Sequence, residues 1–173
     1  MKLIQKPEPG EYATYGSTYV RLVPDDGRVL HQLRDSLQVV QTLARRRSVE
    51  QLTTPHAPGE WTIQEILVHI LDTERIFAYR ALRFARGDTT ELPGYDPNPY
   101  AALSGANQRD IEDILEEYWA VRQATLTLLN SLDDDALLRE GVASGNRVTV
   151  RAIAYFIAGH ELHHLASIGE NYG

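Results

Sequence analysis

The residues with the clearest chemical meaning are His160 and His164, in the run Gly159-His160-Glu161-Leu162-His163-His164. On an α-helix, positions four apart are offset by about 40° and one turn, so both imidazoles leave the same face. Ile153 and Ile157 share that face, which turns it toward an apolar centre. Imidazoles at i and i+4 can reach one ion, which makes H-x-x-x-H a metal pair. Two buried rings without partners are costly, and a metal ion supplies the partner. The competing reading is a pair of core histidines satisfied by carbonyls or neighbouring side chains. Spacing leaves both open.

His69 is the candidate third ligand. It falls at the edge of an apolar helical face, on the side of Thr62, Thr73 and Ile76. It can join the pair only where two helices meet, which sequence does not show. His163 lies on the flank of its helix and either supports the site from behind or faces solvent. His31 and His56 have no partner in sequence and are given no role. Glu74 stands inside an apolar stripe between Ile70 and Phe77. Either it reaches solvent at the stripe's edge, or it needs a buried partner such as Arg80, Arg122 or a ligand imidazole.

Composition narrows the chemistry. The chain has no cysteine, which removes disulfides, thiolate metal sites and a cysteine nucleophile. A metal site must then use histidine, carboxylate or backbone oxygen. A net charge of −7 argues against nucleic acid, which requires a concentrated basic surface. The one basic cluster, Arg45-Arg46-Arg47, sits near a helix end, where it favours the helix dipole. Apolar runs fall far short of the roughly 20 residues of a membrane span. The opening MKLIQKPEPGEY lacks the apolar core of a secretory signal, so a cytoplasmic protein without membrane contact is expected. The 173 residues suit a single domain over 1–173.

Four stretches must position these side chains, each with apolar residues three or four apart. They cover about 26–47, 62–86, 108–131 and 150–168. The second opens Thr62-Ile63-Gln64-Glu65, a capping-box arrangement. The fourth is capped by Thr149 and is expected to end at Gly169. No strand is evident between them. Turn residues fill the connections, at 54–59, 92–99 and 144–146. This pattern describes an all-α four-helix bundle. The connection 87–107 is too long for a simple bundle turn. Its rigid turn residues and apolar side chains, Leu92-Pro93-Gly94-Tyr95-Asp96-Pro97, point to a packed loop over the bundle that helps shape a substrate or dimer surface, with a passive crossover between helices as the alternative.

The run Pro58-Gly59-Glu60-Trp61-Thr62-Ile63-Gln64-Glu65 leading to His69, together with the terminal His160 and His164 motif, resembles the DinB-like, YfiT-like family of metalloproteins. Asp72-Thr73-Glu74-Arg75-Ile76-Phe77, Arg86-Gly87-Asp88 and Leu92-Pro93-Gly94-Tyr95-Asp96 carry the same likeness. The resemblance implies a bundle of up-down-down-up topology, often a homodimer. It implies one divalent ion, zinc or nickel, on His69, His160 and His164. Many relatives follow the last histidine with Arg-Gly-Gln, where this chain has Leu165-Ala166-Ser167; contacts made by that segment do not carry over.

Family activities imply a thiol-dependent S-transferase, with a small-molecule substrate and a low-molecular-weight thiol such as bacillithiol or mycothiol. The alternatives are a metal-dependent hydrolase using water and a non-catalytic binding or stress-response module. No residue is assigned a catalytic role. Unperturbed imidazoles predict that metal affinity falls as pH drops through about 6.5.

Overall fold

A computed structural model describes all residues, 1–173. The helices are α1 (Ser17–Val20), α2 (Val29–Arg45), α3 (Val49–Thr53), α4 (Ile63–Ala85), α5 (Pro97–Leu103), α6 (Ile111–Ser131), α7 (Asp134–Leu138) and α8 (Val150–Tyr172). Two short strands, β1 (Glu140–Ala143) and β2 (Asn146–Thr149), pair antiparallel between α7 and α8. No helix is long and apolar enough to cross a membrane.

The long helices α2, α4, α6 and α8 form the bundle, and side-chain contacts give their directions. Arg122 of α6 reaches Leu33 and Ser36 of α2, while Arg45 of α2 reaches Glu112 of α6, so these two run antiparallel. Gln64 of α4 meets the carbonyl of Arg109 just before α6, and Glu74 meets Arg122; α4 and α6 run parallel. His69 meets His160, and Phe77 meets Phe156, so α4 and α8 are antiparallel. The topology is up-down-down-up. Parallel α4 and α6 require a long crossover, which explains the length of 87–107.

Local signals set most boundaries. The capping box forms as read: Thr62 Oγ1 accepts from Glu65 N at 3.1 Å, and Glu65 Oε2 accepts from Thr62 N at 2.8 Å. Asp110 and Thr149 cap α6 and α8 through Glu112 N and Ala152 N. Three expectations are corrected. The fourth helix does not stop at Gly169 but continues to Tyr172, whose hydroxyl donates to the Trp61 carbonyl and accepts from His56 N. Those contacts anchor a last turn that the glycine alone would let fray. The second correction is the β-hairpin, its Ser144 and Gly145 at φ 53 and 73, the left-handed turn geometry of tight hairpins. Its strands of four residues are too short to show a period. The third is that 87–107 contains α5, capped by Asp96. The crossover is packed: Leu92 N donates to Val142 O, and Ser144 N donates to Leu92 O.

The core divides into two apolar halves. One gathers Leu30, Leu33, Phe84, Leu129, Ile153 and their neighbours; the other gathers Val40, Ile63, Leu67, Ile114, Tyr118 and Ile168. Between them lies a belt of buried polar side chains, including Ser36, Thr73, Glu74, Arg122, Thr125, His160 and Glu161.

Candidate metal centre

The polar belt has two parts. In the first, Arg122 is fully buried, at 0% exposure, and joins all four long helices. Its Nε donates to Glu74 Oε1 at 3.0 Å, and its Nη2 donates to Glu74 Oε2 at 2.9 Å and Glu161 Oε1 at 2.8 Å. Its Nη1 donates to Ser36 Oγ at 2.8 Å and to the Leu33 carbonyl. Tyr118 completes the set, its hydroxyl donating to Glu161 Oε1 at 2.6 Å. Of the partners weighed for Glu74, the fold provides Arg122. Buried charges persist when paired and hydrogen-bonded in this way.

The second part is the histidine group. His69 on α4 and His160 on α8 are buried, at 6% and 5% exposure, and His164 lies one turn beyond on α8. His69 Nε2 is 3.0 Å from His160 Nε2, and His164 Nε2 is 3.1 Å from the same atom. The three ligand atoms all lie within 4.8 Å of one another. Tetrahedral nitrogens bound at 2.0–2.1 Å stand about 3.3 Å apart, close to these spacings. The single in-plane lone pair of His160 Nε2 cannot accept two full hydrogen bonds. A cation among the nitrogens would satisfy all three, so the donor set fits a metal ion.

Burial lowers the pKa of His69 to about 4. Burial and the neighbouring His69 and His163 lower that of His164 to about 3. Burial, with the neighbouring imidazoles, also holds His160 well below the usual histidine range. All three are neutral at pH 7, as ligation requires. Burial thus moves the expected proton competition from about pH 6.5 down toward pH 4 for His69 and pH 3 for His164.

Aromatic rings enclose the group. Trp61 lies 4.8 Å from His69 between ring centroids. Tyr19 lies 5.5 Å from His160, and Phe77 lies 6.3 Å from the same ring. Tyr19 comes from the short α1, and Gly159 admits it: a Cβ there would stand 2.2 Å from the Tyr19 carbonyl oxygen. A glycine inside a helix costs about 1 kcal/mol against alanine; here it lets backbone approach backbone beside His160. That mid-helix glycine was the available signal for Tyr19. His163 is exposed and stacks edge-on against Tyr19 and His164. His31 and His56 lie outside the group.

A family model of the DinB superfamily matches residues 32–168, which span α2 through α8 and all three histidines. The chain belongs to the DinB superfamily. Among curated proteins, this DinB-superfamily chain is 23% identical over 142 residues to a Bacillus licheniformis protein named as a candidate metal-dependent hydrolase, covering 79% of this chain and 78% of that one. Among solved structures it resembles YfiT from Bacillus subtilis, described as a metal-dependent hydrolase candidate with an unusual four-helix-bundle topology. The TM-score is 0.76 at 18% identity, over 96% of this chain and 91% of that one. The DinB-like protein YjoA of Bacillus subtilis matches at a TM-score of 0.59 and 21% identity, over 84% and 89% of the two chains. These likenesses establish the DinB-like bundle.

Proposed function

We propose that the chain is a metal-dependent enzyme in which His69, His160 and His164 hold one divalent transition-metal ion, zinc or nickel. The carrying observation is the meeting of three Nε2 atoms, 3.0 and 3.1 Å apart in sequence of contact, between α4 and α8. Three protein ligands with a fourth position open is the arrangement of catalytic zinc. An ion there supplies Lewis-acid activation of water for hydrolysis or of a low-molecular-weight thiol for transfer. The protein's own contribution is a neutral ligand set kept so by burial, and an aromatic wall of Trp61, Tyr19 and Phe77. That wall lines one side of the ligand imidazoles and offers an apolar surface to an organic substrate. Burial pushes the Tyr19 hydroxyl upward in pKa, so it remains a hydrogen-bond donor at neutral pH.

Hydrolysis is the leading reading, supported by the names of the Bacillus licheniformis relative and of YfiT. Thiol-dependent transfer is the second. It is favoured by the make-up of the group, three histidines without a carboxylate to take a proton from water; a thiol ionises near pH 8.5 and needs a weaker base. The test is turnover by zinc- or nickel-loaded protein of a chromogenic ester and amide panel, and of an aromatic electrophile with added thiol. Ester or amide turnover lost in His160→Ala supports hydrolysis; thiol-dependent turnover lost in the same variant supports transfer. Stoichiometric metal with neither activity overturns the enzyme reading in favour of a binding module. Homodimerisation, implied by the family resemblance, belongs to the same proposal and is read by sedimentation equilibrium.

A further inference from the structure

The chain buries two arginines, Arg122 and Arg80, and they are treated differently. Arg122 is met by two carboxylates. Arg80, at 7% exposure, has no carboxylate within ion-pair distance. Only its Nη2 is used, donating to the Pro93 carbonyl at 2.8 Å and to Ser144 Oγ at 3.1 Å. Nε and Nη1 donate to no protein group, yet neither is sealed from solvent. A buried cation without a counter-charge is costly, and protein interiors normally supply the anion. Here no protein group supplies it, and the two unpaired nitrogens remain open to a ligand.

Position says what that anion belongs to. Arg80 lies 11 residues beyond His69 on α4, close to three turns, which returns it to within about 20° of the same stripe. Thr73 and Phe77 lie between them near that stripe. The guanidinium carbon is 5.8 Å from the Phe77 ring centroid, and that ring is 6.3 Å from the His160 ring. Phe77 therefore separates the cation from the histidine group by one aromatic side chain. The crossover lies over the same stretch: Tyr95 pairs its hydroxyl with Thr73 Oγ1 at 2.6 Å, and Pro93 is held by Arg80.

We propose that Arg80 binds an anionic group, carboxylate or phosphate, of a substrate that lies across Phe77 with its reacting end at the three histidines. Placement of the reacting end rests on the metal-enzyme reading; anion binding at Arg80 does not. Guanidinium bonds to carboxylate or phosphate are charge-assisted and about twice as strong as neutral ones, and a partly desolvated cation strengthens them further. Pro93 and Ser144 fix the guanidinium before the ligand arrives, which limits the ordering cost of binding. The crossover and the β-hairpin thus act as the rear support of a substrate anchor.

The test uses full-length protein freed of metal by chelation, so it stands apart from the ion. Thermal unfolding is followed on adding benzoate, inorganic phosphate or the neutral benzamide at constant ionic strength. A ligand that binds only the folded state raises Tm in a saturable way. Benzoate or phosphate is expected to do so, whichever responds naming the anion class, and benzamide is not. Arg80→Gln is expected to weaken that response at least tenfold, with Tm in the absence of anion no lower than wild type, because it removes an unpaired buried charge. The proposal is overturned by no saturable response to either anion, by an equal response in Arg80→Gln, or by an Arg80→Gln chain that fails to fold. Anion binding in a protein whose metal-loaded form turns nothing over would sink the enzyme reading and leave the Arg80 site in place.

Discussion

Replacing Arg122 by methionine removes the one cation that holds two buried carboxylates, at nearly constant volume. Glu74 and Glu161 would be left 2% and 1% exposed without a counter-charge. The Leu33 carbonyl and Ser36 hydroxyl would lose a donor at the same time. Breaking a buried pair by deleting one partner costs about 3–5 kcal/mol, and each kcal/mol moves Tm by roughly 2–4 °C in a domain of this size. The expected fall in Tm is therefore about 6–20 °C, read by far-ultraviolet circular dichroism with urea midpoints as a check. Adding Glu74→Gln and Glu161→Gln to Arg122→Met should recover a large part of that loss, since the uncompensated charges go with the arginine. A fall of less than about 1 kcal/mol for Arg122→Met alone, which is the scale of a surface pair, would refute the view that this belt ties the bundle together.

Three further outcomes are expected. His69→Ala, His160→Ala and His164→Ala should each lose stoichiometric metal by elemental analysis while keeping wild-type helicity, because the apolar stripes supply most of the stability; full retention in any of them removes that residue from the ligand set. In the metal-free protein, His69 and His164 have folded pKa values of about 4 and 3, below the unfolded value of about 6.5. The unfolded state then binds more protons in this window, so stability should be full above pH 6.5 and fall as pH drops toward 3; the metal-affinity midpoint should likewise lie near pH 4, and one near 6.5 would contradict the burial of these rings. Gly159→Ala gains helix propensity of about 1 kcal/mol, yet its Cβ would meet the Tyr19 carbonyl; overpacking of about 1–3 kcal/mol should lower Tm and change the near-ultraviolet signal of Tyr19, and a rise in Tm would show that α1 is free to move.

What the sequence determined by itself is what short-range chemistry controls. Helical period, the Thr62 and Glu65 capping box and the Thr149 cap act over three or four residues, and these features form where they were read. The i,i+4 offset of His160 and His164 is likewise a property of one helix, and with the family resemblance it made the metal pair legible. Gly169 was misleading because a local stop signal competes with Tyr172, anchored to a residue 111 positions away. The tertiary structure alone decided which faces meet. It brought His69 to His160 across 91 residues and gave Glu74 its partner in Arg122 across 48. It also left Arg80 without a carboxylate. Each of those outcomes depends on the order and direction of packed helices, and no spacing within one helix encodes its neighbour. Burial then lowered the imidazole pKa values, because desolvation is set by everything packed around a ring rather than by the residues beside it in the chain.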